Sequence, residues 1–252
     1  MLDRAAFIRP MAHRGLHNVA LGRVENTAVA FQAAIEKGYG IECDLRPAHG
    51  GLPVVFHDDT IERLIGGDGR ISDLTPSAIA ALRTRIGGHS ILTFEALLSL
   101  VDGRVPLLVE IKSEWDPPEI AFLAEIARRA LDYPGDIALM SFDPDVMTVV
   151  RELATEIPRG IISGRYQDEH GAPWWRDRIT EERAERLSNL LESGPAAPSF
   201  YAYQVSALPT PVTRYAREVD GLPIFAWTVR TTEDLEHAKF HANAAIFEGI
   251  EL

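Results

Sequence analysis

Gly40-Ile41-Glu42-Cys43-Asp44-Leu45 is an apolar run broken by two acids at a spacing of two. A strand points residues i and i+2 to one face. Glu42 and Asp44 therefore project together, and Cys43 projects the other way. Two like charges held close repel one another, and a hard divalent cation is the simplest remedy. Two histidines bracket the run, each at the end of its own apolar stretch. His13 ends Pro10-Met11-Ala12-His13, and His57 ends Pro53-Val54-Val55-Phe56-His57. Acid–base imidazoles beside paired acids make the region a candidate catalytic site.

Gly40–Leu45 is one of eight short apolar runs that alternate with helical patterns. The others are Met11–His13, Leu107–Ile111, Asp136–Ser141, Arg159–Ile162, Phe200–Gln204, Pro223–Trp227 and Ala244–Phe247. The helical patterns span Thr27–Lys37, Phe94–Val101, Pro118–Leu131, Pro144–Leu153, Arg176–Leu191, Pro211–Val219 and Thr232–Phe240. Asn26 or Thr27 is expected to cap the first, Thr93 the second, and proline to sit in the first turn of the third. Continuous apolar strands with intervening helices predict an α/β fold whose parallel sheet is buried on both faces. Eight units favour a closed (β/α)8 TIM barrel. Between Asp44 and Leu107 the rhythm breaks, with an extra strand-like run at Pro53–His57, a Gly66-Gly67-Asp68-Gly69 segment, and a short helix at Ala78–Leu82. This predicts a small insertion after the second strand, at about residues 46–92, within a single domain over residues 1–252.

The net charge of −12 argues against a phosphate-backbone binder, so no nucleic-acid partner is expected. The one cysteine, Cys43, cannot form an internal disulfide and fits a reducing compartment. Met1 to Pro10 shows no secretory pattern, and no apolar run approaches a membrane span. The expectation is a cytoplasmic protein without stable membrane insertion, acting on a small molecule, with a homo-oligomer left open.

Barrel enzymes carry their reactive groups where strands end. His13, Arg14, Glu42, Asp44, Glu110, Lys112 and Trp227 all fall at such ends, so they should collect on one rim. Three carboxylates, Glu42, Asp44 and Glu110, suit Mg²⁺ or Ca²⁺. Arg14 and Lys112 beside a metal imply an anionic ligand, and phosphate fits. Two histidines can divide the proton work. Asn26 stands between a helix cap and a contact to substrate or to a ligand residue. Glu25 is open between a cap and a supporting contact. Trp227 stands between core and a platform for substrate. His17, His49, His89, His170, His237 and His241 are read as surface or core residues, and Cys43 as packing between barrel and helices.

The string His13-Arg14-Gly15, Glu25-Asn26-Thr27, Glu42-x-Asp44, Val54-Val55-Phe56-His57-Asp58 and Glu110-Ile111-Lys112 resembles the glycerophosphodiester phosphodiesterases. The resemblance continues through Ile71-Ser72-Asp73-Leu74-Thr75, Thr93-Phe94-Glu95 and Ala226-Trp227-Thr228-Val229. It implies hydrolysis of a glycerophosphodiester to an alcohol and glycerol phosphate, with a divalent metal, in glycerol and lipid metabolism. It also implies Glu42, Asp44 and Glu110 as metal ligands, His13 and His57 as the acid–base pair, and Arg14 and Lys112 as phosphate grips. Two stretches depart from the family pattern. His49-Gly50-Gly51 replaces its usual Asp-Gly turn, and Phe247-Glu248-Gly249-Ile250 replaces its final Asp-containing motif. Two other readings stand beside this one. A phospholipase D-like enzyme of the same fold would act on lysolipids, hinted at by Trp174-Trp175. A noncatalytic metabolite-binding barrel would have no need of two acid–base groups.

Overall fold

Among the described residues nine strands form one sheet: β1 (Met11–Ala12), β2 (Gly40–Ala48), β3 (Leu52–Val55), β4 (Leu107–Ile111), β5 (Ile137–Ser141), β6 (Arg159–Ser163), β7 (Phe200–Gln204), β8 (Ile224–Val229) and β9 (Ala244–Phe247). The computed structural model describes residues 1–167, 170–173 and 177–252. Every pairing is parallel except that of β3, which runs antiparallel against β2. Met11 pairs with both Gly40 of β2 and Ile246 of β9, so eight parallel strands close on themselves. The expected (β/α)8 TIM barrel is present, with one strand added.

The helices are α1 (Arg4–Phe7), α2 (Ala28–Lys37), α3 (Pro76–Ala81), α4 (Phe94–Val101), α5 (Ile120–Asp132), α6 (Pro144–Leu153), α7 (Glu181–Ser188), α8 (Pro211–Glu218) and α9 (Thr232–His241). Local chemistry sets their starts. Thr75, Thr93, Asp143, Thr180, Thr210 and Thr231 each accept a backbone N–H of the first turn. Two expected helix starts differ. Glu119 is extended at the N-cap of α5, so Pro118 precedes that helix instead of entering its first turn. α7 starts at Glu181, where Thr180 caps it, and residues 177–179 are turn; Arg176 lies outside the described residues. Trp174-Trp175 also lies outside them.

Alternation along the strands divides the core in two. Cys43, Val109, Leu139 and Ile161 face outward and pack with α2, α4, α5 and α6 residues such as Phe31, Leu97, Ile126 and Met147. Leu108, Ala138, Met140, Ile162, Phe200, Ala202, Phe225 and Ile246 fill the barrel interior. Leu2 and Phe7 from the α1 segment join that interior cluster. Asp3 holds α1 by accepting the Ala5 and Ala6 N–H groups.

β2 runs past Asp44 to Ala48 and turns back as β3, with Leu45 opposite Val55 and Ala48 opposite Leu52. The connection uses Gly50 and Gly51 at φ 74° and 77°, a region that glycine enters without strain. Ala48, Val54, Phe56, Ile61, Ile71, Ile79 and Ile91 form a separate small core beneath this hairpin. An ion-pair strap ties it back to the loop before α2. Arg63 donates to both Glu25 oxygens, at 2.8 and 2.7 Å, and to both Asp58 oxygens, at 2.6 and 3.0 Å. Burial raises the Glu25 carboxyl, but the Arg63 hydrogen bonds and the Arg14 charge outweigh it and hold Glu25 below the usual glutamate range.

Two outcomes are expected. A Cβ built on Gly160 of β6 would stand 2.2 Å from the ring of Phe200, which is itself fully buried. Gly160→Ala should therefore lower the urea-denaturation free energy by about 1–3 kcal/mol, the usual cost of overpacking. A depressed carboxyl contributes stability that is present above its ordinary pKa and is lost as pH falls through the folded value. Below about pH 4.5 the urea midpoint of the native chain should drop more steeply than that of Arg63→Ala, which lacks the strap. Parallel curves would show that the strap does not contribute.

Candidate active site

β1 stops at Ala12 and β3 at Val55, so His13 and His57 lie just past strand ends instead of on them. The chain turns after β1 through Arg14 (φ 53°) and Gly15 (φ 78°). A Cβ on Gly15 would meet the Ala30 carbonyl carbon at 2.9 Å, so only glycine lets this turn pack against α2. The Gly15 N–H is shared between the Ala12 and Glu42 carbonyls, at 3.1 and 3.2 Å. The Arg14 N–H meets Glu42 Oε2 at 3.0 Å. The His-Arg-Gly turn is thereby fastened to the acidic strand.

A cavity of about 430 Å³ opens beside these residues. His13, Arg14, Glu42, His57, Glu110, Lys112 and Trp227 line it, seven of the nine residues singled out in the sequence. Asp44 and Asn26 are buried and outside the lining. Asn26 Nδ2 donates to Asp44 Oδ2 at 2.8 Å, and Asn26 Oδ1 accepts the Asp44 N–H at 3.4 Å. Both polar ends of this amide are therefore spent on Asp44. The structure places Asn26 behind that acid instead of on the substrate side, and it is not a helix cap. Thr27 holds the N-cap position of α2, with its hydroxyl given to the Val24 carbonyl.

Register explains the acidic cluster. Asp44 of β2 pairs with Glu110 of β4, and Glu42 precedes Asp44 by one pleat. One oxygen from each of the three lies within 4.8 Å of the others, and all three side chains are buried. Burial drives Glu42 well above the usual carboxylate range, with the Asp44 and Glu110 charges adding to the shift. Burial pushes Asp44 the same way, but Lys112, His57 and Arg14 outweigh it and hold Asp44 well below the range. Lys112 Nζ stands 2.9 Å from Asp44 Oδ1 and 2.6 Å from Glu110 Oε1. Burial lowers the Lys112 ammonium pKa, yet those acids raise it overall, so it stays charged. Arg14 reaches Glu25 at 2.8 Å and Asp44 at 3.4 Å. Asp44 Oδ1 is buried with the Lys112 ammonium as its close charge partner. Three converging buried carboxylates are a donor set that fits a hard divalent cation.

Each histidine is tied to a carboxylate through Nδ1. His57 Nδ1 meets Asp58 Oδ1 at 2.8 Å, and His13 Nδ1 meets Glu248 Oε2. An ionised carboxylate only accepts, so Nδ1 carries the proton in both neutral rings and Nε2 is the free base. His13 Nε2 lies 3.9 Å from Glu42 Oε2. Burial lowers the His13 pKa, and the Glu248 hydrogen bond offsets only part of that. Arg46 supports the other histidine, donating to the His57 carbonyl at 2.6 Å and to Glu114 at 2.5 Å. Trp227 donates to the Ser163 carbonyl at 3.2 Å and stands edge-on to Phe142 across the cavity wall.

Sequence reasoning missed four of these parts. Glu248 directly follows β9, and the strand-end rule that selected His13 applies to it equally. Arg46 continues the period-two series of Glu42 and Asp44 by one step. Asp58 adjoins His57. His17, read as surface or core, instead brings Nε2 to 3.3 Å from Glu248 Oε2, and no local pattern predicts that contact.

A model of the glycerophosphoryl diester phosphodiesterase family matches residues 13–247. The glycerophosphodiester phosphodiesterase of Caldanaerobacter subterraneus subsp. tengcongensis is 28% identical over 236 residues, covering 90% of this chain and 87% of that protein. Glycerophosphodiester phosphodiesterase 1 of Bos taurus is 25% identical over 264 residues, covering 94% and 76%. Among solved structures, the glycerophosphodiester phosphodiesterase of Thermotoga maritima superposes with a TM-score of 0.70 at 23% identity, covering 95% of this chain and 93% of that one. A phosphodiesterase of Oleispira antarctica, solved with its product sn-glycerol-3-phosphate, also gives 0.70, at 20% identity and 95% and 92% coverage. The structural likenesses bear on the barrel alone. The match over residues 13–247 extends from the first histidine to the end of β9, and by it this chain belongs to the glycerophosphoryl diester phosphodiesterase family.

Proposed function

We propose that this protein hydrolyses glycerophosphodiesters to an alcohol and glycerol phosphate, using a divalent metal, Mg²⁺ or Ca²⁺, with His13 and His57 as the acid–base pair. One observation carries the reading. Three buried carboxylates converge within 4.8 Å, and two of them share a cavity wall with two imidazoles whose Nδ1 atoms are each held by a carboxylate. Glu42, Asp44 and Glu110 are the ligands. When bound, the cation supplies charge neutralisation to the nonbridging phosphate oxygens. Lys112 and Arg14 add fixed positive charge on the same wall and grip the phosphate. Asn26 keeps Asp44 oriented, and Trp227 offers an apolar wall to the glycerol carbons.

One imidazole Nε2 takes the proton of the glycerol 2-hydroxyl, whose oxygen attacks phosphorus. The other imidazole, entering the step protonated on Nε2, gives that proton to the departing alcohol oxygen. A cyclic phosphate results, and water then opens it with the two proton transfers reversed. Residues 1–252 act as a single catalytic domain, with the unit at about 46–92 contributing His57. The one cysteine, reduced and buried at Cys43, fits a cytoplasmic setting.

Turnover of glycerophosphocholine, glycerophosphoethanolamine and glycerophosphoinositol should be abolished by EDTA and restored by Mg²⁺ or Ca²⁺. Chelator-insensitive turnover would remove the metal from the reading, and no hydrolysis of any diester would remove the activity. His13→Ala and His57→Ala should each lower kcat by about 10²–10⁴-fold with the thermal midpoint retained. A substrate analogue without the 2-hydroxyl should not react; if it does, water attacks directly.

A further inference from the structure

His13, His17 and Glu248 converge a second time on a single point. One ligand atom from each lies within 4.8 Å of the others. His13 Nδ1 and His17 Nε2 both meet the same oxygen, Glu248 Oε2, the latter at 3.3 Å. Two ligands each ~2.0–2.1 Å from a tetrahedral zinc stand about 3.3 Å apart. The His17–Glu248 pair is already at that separation, and His13 needs only to open from hydrogen-bond contact. The donor set differs in kind from the acidic trio. Two imidazole nitrogens and one carboxylate oxygen suit Zn²⁺ and its transition-metal neighbours, whereas three carboxylates suit Mg²⁺ or Ca²⁺.

We propose that His13, His17 and Glu248 form a second cation site, of the zinc class, whose occupancy arrests hydrolysis by capturing His13. The inhibitory part rests on the reading of His13 as an acid–base group. Three protein ligands leave a fourth position for water. The three side chains are 13%, 21% and 18% exposed, and neither His17 nor Glu248 lines the cavity, so an ion can reach them without displacing substrate. Arg230 donates to Glu248 Oε1 at 2.6 Å, which turns Oε2 toward the two rings. Its positive charge opposes a cation, so the site releases metal more readily than a structural zinc site does.

The consequence follows from imidazole chemistry. Coordination uses the Nδ1 lone pair of His13, so the single proton of the neutral ring leaves Nδ1 and, relayed by water, is taken up on Nε2, with no net release. That nitrogen is the atom 3.9 Å from Glu42. A ring protonated there cannot accept another proton from a substrate hydroxyl.

The test uses the full chain saturated with Mg²⁺. Added Co²⁺ should give the intense visible absorption of a tetrahedral nitrogen-ligated complex, and added Zn²⁺ should displace it and inhibit hydrolysis. His17→Gln should lose the cobalt band and, measured against its own Mg²⁺-supported rate, need more than about 100-fold more Zn²⁺ for half-inhibition, since even losing a supporting contact to a ligand costs 10–100-fold. Absence of the band in the native chain, or equal zinc sensitivity of His17→Gln, would overturn the proposal. Absence of hydrolysis in the native Mg²⁺-loaded protein would instead overturn the proposed activity, while the cobalt band and its loss in His17→Gln would still report the site.

Discussion

Mutual repulsion among Glu42, Asp44 and Glu110 is the constraint around which this protein is built. Three carboxyl groups inside a barrel mouth, none more than 7% exposed, are costly to keep charged. The chain answers with a buried ammonium from Lys112 and a guanidinium from Arg14, both placed by the same strand ends that place the acids. The compensation is incomplete. Glu42 is driven above its usual range while Asp44 is held below it. Three carboxylates converging at one buried point are a group that could hold a cation.

Much of the surrounding structure serves to keep that point rigid. Asn26 spends its whole amide on Asp44. Gly15 allows the His13 turn to lie against α2, and the Arg14 N–H then meets Glu42. The inserted hairpin extends β2 itself, so the strand carrying the acids also carries the turn that brings His57 back. Arg63 clamps that insertion to Glu25, which in turn holds Arg14. Arg46 holds the His57 carbonyl. The acid strand is thus linked to both histidine-bearing loops by chains of hydrogen bonds, as a preorganised charge-handling site requires.

The two imidazoles are held alike but not equivalently. Asp58 is a chain neighbour of His57 and is itself tied to Arg63. Glu248 comes from the far end of the chain, is shared by His13, His17 and Arg230, and links β9 to the turn after β1. Barrel closure is therefore also what completes the environment of His13.

Period and order along the chain were sufficient for the barrel, because its eight strands are contiguous apolar runs separated by segments of helical spacing. The same local rules placed His13, Arg14, Glu42, Asp44, Glu110, Lys112 and Trp227 at strand ends, which in a closed barrel share one rim, whereas His57 follows β3, the added antiparallel strand. The partnerships come from the closed fold. Asn26 reads locally as a helix cap, and it becomes Asp44's anchor because β2 passes behind it. His17 reads as a surface residue, and it meets Glu248 only because β9 closes beside β1. Strand alternation is a property of the backbone within a few residues and is written locally. A contact between positions more than two hundred residues apart depends on how the barrel shuts, and no local pattern encodes that.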